Sequence, residues 1–180
     1  MKTKLIASDE RYYIHHETKH NHSICSRKKV PYVSGNKSID AVSIIAFHPD
    51  EGKYAIVRQF RPTIGEWVYE FPAGKIEPQE EVIVAARREL YEETGLRINT
   101  DKDFQLVNSF PSVGLTDEQR SVLYCHCYGQ LTDKNLDKGE MIEPMLLSVC
   151  DLEDLIEEPG NLFDSLIIGF VQGSKYGCFL

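Results

Sequence analysis

Three glutamates at helical spacing are the clearest chemical feature of the sequence. Glu89, Glu92 and Glu93 are spaced i, i+3 and i+4, so a helix would place their carboxylates on one side. Like charges at this spacing destabilise a helix slightly, and a divalent cation would remove the repulsion. Mg²⁺ prefers a few carboxylates, waters and substrate phosphates. The triplet therefore predicts a metal site, and the alternative is a solvated acidic face.

A helix from about Pro78 to Glu93 must carry this triplet. Proline is tolerated in a first helical turn, and Gly95 lies just past the end, where a left-handed residue commonly terminates a helix. Arg88 can pair with Glu92 one turn later. The apolar positions that recur at helical spacing are Val82, Ala85, Ala86 and Leu90. The pattern predicts an amphipathic helix with an acidic polar side.

The residues around this helix match a spacing pattern with nine specified positions. They are Gly74, Glu80, Arg88, Glu89, Leu90, Glu92, Glu93, Gly95 and Leu96. This arrangement resembles the box of the Nudix hydrolases, G-x5-E-x7-R-E-U-x-E-E-x-G-U, in which U is aliphatic. The resemblance covers residues 74 to 96 and implies metal-dependent hydrolysis of a diphosphate, in which the cation polarises the phosphates and activates water.

The resemblance also implies a role for each box residue. The ligands of Mg²⁺ or Mn²⁺ would be Glu89 and Glu93, with Glu92 sharing or assisting and the backbone carbonyl of Ala73 as a further ligand. Glu80 and Arg88 would hold the box together through a polar contact. The general base would be Glu140, in an acidic loop from Asp133 to Glu143, and Glu92 is the second candidate.

The segment before the box narrows the expected substrate. Residues 57 to 62 and 70 to 76 resemble the ADP-ribose pyrophosphatase branch of the family. Arg61 and Glu70 are accordingly expected to bind substrate, since a guanidinium suits a phosphate or the terminal ribose. The alternative for Arg61 is a surface pair with Glu66 or Glu70.

The segment after the box permits two alignments with this branch. Pro111 follows Gly95 by sixteen residues, a spacing typical of the branch. In the second alignment Val113 replaces the proline and Glu118 takes an acidic, substrate-binding place. The expected reaction is ADP-ribose and water to AMP and ribose 5-phosphate. A different sugar nucleotide, such as UDP-glucose or GDP-mannose, is the alternative within the same chemistry.

A module that senses a nucleotide without cutting it is the alternative from another class. Such modules usually lose box glutamates, and all of them are present here. The expected partner is therefore a small nucleotide sugar. The net charge of -8 argues against binding a nucleic-acid polymer. No apolar run approaches the roughly 20 residues of a membrane helix, and five cysteines without a CxxC pair favour a reducing, cytoplasmic setting.

The length of 180 residues suits one globular domain, and alternating strand and helix patterns indicate an α/β or α+β fold. The resemblance implies an α/β/α sandwich with a mixed sheet. We expect residues 41–180 to form this domain. Residues 1–40 are polar with short strand-like pieces, and the resemblance implies that they build a homodimer. Further helices are expected from Asp151, as a cap, to Glu157 and over 162–172.

Overall fold

The structure is a computed structural model that describes residues 3–8, 12–17, 22–27, 39–100, 102–136 and 138–177. The first three strands form a small antiparallel sheet of their own. They are β1 (Thr3–Ser8), β2 (Tyr12–Glu17) and β3 (His22–Arg27). The Cys25 N–H donates to the Leu115 carbonyl at 2.9 Å, which joins this sheet to the rest of the chain. These strands lie within residues 1–40, the segment for which short strand-like pieces were predicted.

A nine-stranded mixed sheet forms the centre of the molecule. Its strands are β4 (Ala41–His48), β5 (Lys53–Arg61), β6 (Glu66–Glu70), β7 (Ala73–Lys75), β8 (Arg97–Ile98), β9 (Gln105–Ser109), β10 (Arg120–Tyr128), β11 (Ile142–Leu147) and β12 (Leu162–Phe163). The main order is β12-β6-β5-β4-β10-β8. Strands β4 and β10 run parallel, as do β6 and β12, and the other pairs are antiparallel.

Helices cover both faces of this sheet. They are α1 (Val82–Thr94), α2 (Val149–Glu157) and α3 (Ser165–Lys175). On one face Ala86 and Leu90 of α1 pack against Ile44 of β4. On the other face Leu152 and Ile167, from α2 and α3, pack against a cluster that includes Ile45. Alternate residues of β4 therefore serve opposite layers, and the expected α/β/α sandwich is observed.

A gap in the sheet explains where α1 sits. Strands β4 and β5 pair only beside their connecting turn, at Phe47–Tyr54 and His48–Lys53. Farther along, β4 pairs with β7 and β5 pairs with β11. Helix α1 contacts all four of these strands. The helix thus lies where the two halves of the sheet separate, with its polar side towards the end of β5.

The sequence patterns misplaced three helix starts. Helix α1 begins at Val82, not Pro78, because Gln79 has a φ of 69° and the Glu80 carboxylate accepts the Glu77 N–H at 2.9 Å. These features make a turn instead of a first helical turn. Helix α3 begins at Ser165, three residues after the predicted start at 162, because Leu162 and Phe163 pair with β6.

Helix α2 is capped by a different residue from the predicted one. Ser148 is the N-cap, and its hydroxyl accepts the Asp151 N–H at 3.1 Å. The Asp151 carboxylate accepts the Ser148 N–H in return at 2.8 Å, which completes a capping box. Within the described part of the chain, no helix is long and apolar enough to cross a membrane.

Candidate active site

Two glycines allow the loop and the helix of the site to meet. A Cβ on Gly74 would overlap the carboxylate of Glu89, so only glycine leaves room for this side chain against the backbone of β7. Gly95 has a φ of 76° and ends α1 in the left-handed conformation, with its N–H donating to the Tyr91 carbonyl. Glycine is therefore needed at position 74 for steric room and at position 95 for the left-handed backbone.

Glu93 is the most deeply buried carboxylate of the site. It is 4% exposed, and its Oε2 accepts the backbone N–H of Ala73 at 3.0 Å. Burial raises the pKa of Glu93 well above its usual value, and the negative charges of Glu89 and Glu140 raise it further. One backbone N–H does not compensate a buried charge, since such a charge needs a counter-charge or several hydrogen bonds.

Arg88 organises the other carboxylates of the helix. Its Nε and Nη2 donate to the two Glu80 oxygens at 3.0 and 2.9 Å, and its Nη2 also donates to the Lys75 carbonyl at 2.9 Å. Its Nη1 donates to Glu89 at 2.7 Å and to Glu92 at 3.1 Å. The predicted contacts of Arg88 with Glu80 and Glu92 are thus present. The guanidinium lowers the pKa of Glu80, whose carboxylate stays ionised.

Glu89 interacts both with Arg88 and with the buried Glu93. Burial raises its pKa, although the Arg88 hydrogen bond opposes the shift, and the charges of Glu92 and Glu140 raise it again. Among the described residues, no group of three or more His, Cys, Asp or Glu side chains has metal-binding geometry as it stands. The carboxylates of Glu89 and Glu93 nevertheless fit a divalent cation, because burial raises the pKa of both and the negative charge of Glu89 acts on Glu93.

A second charged unit lies at the end of β5. Arg61 Nε and Nη2 donate to the two oxygens of Glu70 at 2.6 and 2.7 Å, a bidentate pair. The charges of Glu93 and Asp164 also act on this guanidinium and contribute to its raised pKa. Glu70 is 8% exposed. The pair with Glu70 fixes Arg61 at a place where its charge acts on the buried carboxylate of Glu93.

The remaining predicted residues lie at different distances from this centre. Glu140 is exposed in the loop before β11, yet its charge acts on both Glu89 and Glu93, which brings it to the mouth of the site. Glu118 lies two residues before β10, with its carboxylate 3.8 Å from Arg120 Nη2. Ser43 links this strand to the site, because Ser43 pairs with Ala73 and its hydroxyl accepts from Arg120 Nη1 at 3.2 Å.

Comparison with known proteins identifies the family. The profile of the NUDIX domain matches residues 37–167 of this chain. The chain belongs to the Nudix hydrolase family. The predicted resemblance is therefore confirmed, and the cluster around Glu89 and Glu93 is the Nudix box of this chain.

Several Nudix relatives have similar sequences. The ADP-ribose pyrophosphatase of Bacillus subtilis (strain 168) is 38% identical over 119 residues, which covers 65% of this chain and 62% of that protein. An uncharacterised Nudix hydrolase of Schizosaccharomyces pombe is 31% identical over 150 residues, 78% of this chain and 72% of that protein. The ADP-sugar pyrophosphatase of Mus musculus is 47% identical over 66 residues, 34% of this chain and 29% of that protein.

A solved structure supports the Nudix fold independently. The crystal structure of an ADP compounds hydrolase superposes with a TM-score of 0.65 at 18% identity, and the match covers 99% of this chain and 94% of the other. At this identity the likeness concerns the fold. The chain matches less than two thirds of the length of the B. subtilis relative, at 62%.

The Nudix box accounts for some side chains better than for others. Glu89 and Glu93 both lie against β7. Glu92, which like Glu89 accepts from Arg88, is more exposed, at 33%. The sequence patterns did not single out Arg120, which contacts Ser43 beside the box. In the sequence Arg120 stands two residues after Glu118, and no known spacing pattern marks an arginine at this place as part of a site.

Proposed function

We propose that the protein hydrolyses the diphosphate of ADP-ribose in the presence of a divalent cation and releases AMP and ribose 5-phosphate. One observation carries this proposal: the buried Glu93 carboxylate feels both the negative charge of Glu89 and the positive charge of the Arg61 guanidinium. A cation at the carboxylates and a cationic fork next to them suit the two charges of a diphosphate. The B. subtilis and mouse relatives, named for ADP-ribose and ADP-sugars, support the same substrate class.

The residues expected to hold the cation are those of the box. Glu89 and Glu93 would be the principal ligands, with Glu92 and the Ala73 carbonyl completing the set, and Mg²⁺ or Mn²⁺ is the expected ion. When bound, the cation supplies charge neutralisation and Lewis-acid polarisation of the phosphates. The raised pKa values of Glu89 and Glu93 support this assignment, because a cation would restore their ionised forms.

The other residues would bind substrate and move the proton. Arg61, fixed by Glu70, would donate to a phosphate oxygen or to the terminal ribose. Glu140 would accept the proton of the attacking water, since it is exposed and its charge reaches both buried carboxylates. Glu92 is the second candidate for this role. Glu118 would bind substrate from the β10 side of the site.

We also propose that residues 41–180 form the catalytic unit and that residues 1–40 build a homodimer in the cytoplasm. The separate sheet of β1, β2 and β3 supports a distinct extension. Its strand β1 exposes Leu5 and Ile6, at 50% and 57%, and β9 exposes Leu106 and Val107, at 40% and 43%. Exposed apolar side chains of this kind are expected to be covered by another chain.

A substrate panel tests the proposed reaction. The purified chain is incubated with Mg²⁺ and ADP-ribose, UDP-glucose, GDP-mannose or ATP, and the products are separated by chromatography. We expect AMP from ADP-ribose at the highest kcat/KM, loss of turnover in EDTA, and recovery with excess Mg²⁺. Preference for UDP-glucose or GDP-mannose would reject the proposed substrate but keep the chemistry. Tight binding without hydrolysis of any compound would favour the sensing module.

A further inference from the structure

A small cavity lies between the start of β10 and the start of α3, on the opposite side of Ser43 from the box. It has a volume of 240 Å³ and is lined in part by Ser109, Phe110, Arg120, Asp164 and Leu166. Pro111 also lines it, whereas Val113 is 79% exposed. Cavities that hold a whole drug-sized ligand begin at about 300 Å³. This cavity therefore suits one part of a larger substrate.

Arg120 brings an incompletely bonded guanidinium to this cavity. Its side chain is 21% exposed, its Nη1 donates to Ser43 at 3.2 Å, and its Nη2 lies 3.8 Å from Glu118. Its Nε is buried and has no hydrogen-bond partner in the described part of the chain. A buried donor without an acceptor is energetically costly. The buried Nε is itself closed to the cavity, but the guanidinium lines the cavity wall and brings a positive charge to a ligand oxygen there.

Asp164 places an acceptor in the same cavity and connects it with the active site. One carboxylate oxygen accepts the Leu166 N–H at 2.7 Å and caps α3, and the Asp164 N–H donates to the Tyr69 carbonyl at 3.0 Å. Tyr69 directly precedes Glu70, the partner of Arg61. The charge of Asp164 also acts on the Arg61 guanidinium. The cavity and the diphosphate side of the site thus share one electrostatic environment.

The residues that line the cavity indicate which kind of chemical group could bind there. A carboxylate acceptor, a guanidinium donor and the Ser109 hydroxyl match the hydroxyls of a sugar, which both donate and accept. Phe110 and Leu166 offer apolar surface for the C–H face of the ring. A second phosphate would meet the Asp164 carboxylate and be repelled.

We propose that this cavity binds the terminal sugar of the nucleotide-sugar substrate, with Asp164 accepting from a sugar hydroxyl and Arg120 donating to a sugar oxygen. The inference rests on the proposed function, because it names the part of the same substrate that lies beyond the diphosphate. Arg120 and Asp164 are accordingly residues for substrate binding and selectivity. Arg61 and the carboxylates of the box remain the groups that meet the diphosphate.

Binding of ribose 5-phosphate, compared with inorganic phosphate, tests the subsite without requiring turnover. Calorimetry with Mg²⁺ present should show at least about tenfold tighter binding of ribose 5-phosphate by the unmodified chain, as expected for one charge-assisted hydrogen bond. Asp164→Asn should remove this preference, and asparagine still caps a helix. The matched control is Asp154→Asn on the exposed side of α2, which should keep it. No preference in the unmodified chain, or full preference in Asp164→Asn, would overturn the proposal.

Kinetics with two substrates provide the second test. ADP-ribose and the β-methyl ester of ADP share adenosine and the diphosphate but differ in the terminal sugar. Asp164→Asn and Arg120→Lys should each lower kcat/KM about tenfold or more for ADP-ribose, and less than about twofold for the ester. Equal losses for both substrates would place the effect at the diphosphate and refute the subsite. If the unmodified chain cleaves neither, the proposed function fails while the binding experiment still decides the subsite.

Discussion

Replacing Glu93 by glutamine removes a buried charge while leaving its shape almost unchanged. The side chain is 4% exposed and accepts the Ala73 N–H at 3.0 Å. The amide oxygen of glutamine can accept the same hydrogen bond, so the backbone of β7 keeps its partner. The substitution therefore separates the charge of Glu93 from its packing. Its effects on stability and on activity should have opposite signs.

In the metal-free protein the charge of Glu93 destabilises the fold as pH rises. Its pKa in the folded chain lies well above the ordinary 4.5, so the folded state binds more protons than the unfolded state between these values. Unfolding free energy is then highest below the unfolded pKa and falls with rising pH, by at most about 1.4 kcal/mol per pH unit for one proton. Glu89, whose pKa is also raised, adds a slope of the same sign. Glu93→Gln should remove the contribution of Glu93 alone.

Glu93→Gln should lower the activity, although it does not lower the stability of the metal-free protein. Removing one partner of a buried charge pair costs about 3–5 kcal/mol, which corresponds to a loss of roughly 10²- to 10⁴-fold in kcat/KM when that partner holds the cation. The variant should thus be at least as stable as the unmodified chain at pH 8 in EDTA, and nearly inactive with Mg²⁺. A general loss of folding would lower both quantities together.

Urea unfolding in EDTA from pH 5 to pH 8, followed by circular dichroism, measures the first effect. Hydrolysis of ADP-ribose with Mg²⁺ measures the second. The matched control is Glu157→Gln on the exposed surface of α2, which should keep the pH slope and the activity. Full activity of Glu93→Gln would refute its assignment as a ligand. Identical pH slopes in EDTA for the variant and the unmodified chain would refute the argument from burial.

Three further substitutions test other parts of the site. Gly74→Ala should lower kcat/KM at least about tenfold, because its Cβ would displace the Glu89 carboxylate from β7, and assays across Mg²⁺ concentrations should show weaker activation. Arg88→Ala should lower the free energy of unfolding by about 2–3 kcal/mol, measured in urea, since the change deprives three carboxylates of their counter-charge. Glu140→Gln should lower kcat about 10²- to 10⁴-fold and leave the melting temperature unchanged, because this loop carboxylate is exposed; a shift of melting temperature with unchanged kcat would contradict its role as base.

The parts of the site that depend on local spacing could be predicted from the sequence. The contact of Arg88 with Glu92 follows from helical geometry, and its contact with Glu80 follows from the box resemblance. Gly95 was expected at the helix end, and it adopts the left-handed conformation there. The sandwich was expected from the family, and the alternation of Ile44 and Ile45 between two cores shows how β4 supports it.

The missed features depend on interactions that no local period encodes. The start of α1 moved because the Glu80 side chain folds back on Glu77 and reaches Arg88 at the same time. A proline at position 78 is compatible with a first helical turn, so its presence does not reveal this turn. The cavity walls come from the consecutive strands β9 and β10 and from α3, which lies much later in the sequence. Arg120 could not be recognised before the strand register placed Ser43 between it and the box.

The hydrogen-bond partners of the glutamates explain why similar residues differ in role. Arg88 donates two hydrogen bonds to Glu80 and one each to Glu89 and Glu92, so each of these carboxylates has a nearby counter-charge. Glu93 is more buried than any of them but receives only the Ala73 N–H within the described residues. A chain selected for stability alone would place an apolar or amide side chain there, because burying such a charge is costly. The cost is explained if a cation restores the missing charge, and binding of that cation must then stabilise the folded chain.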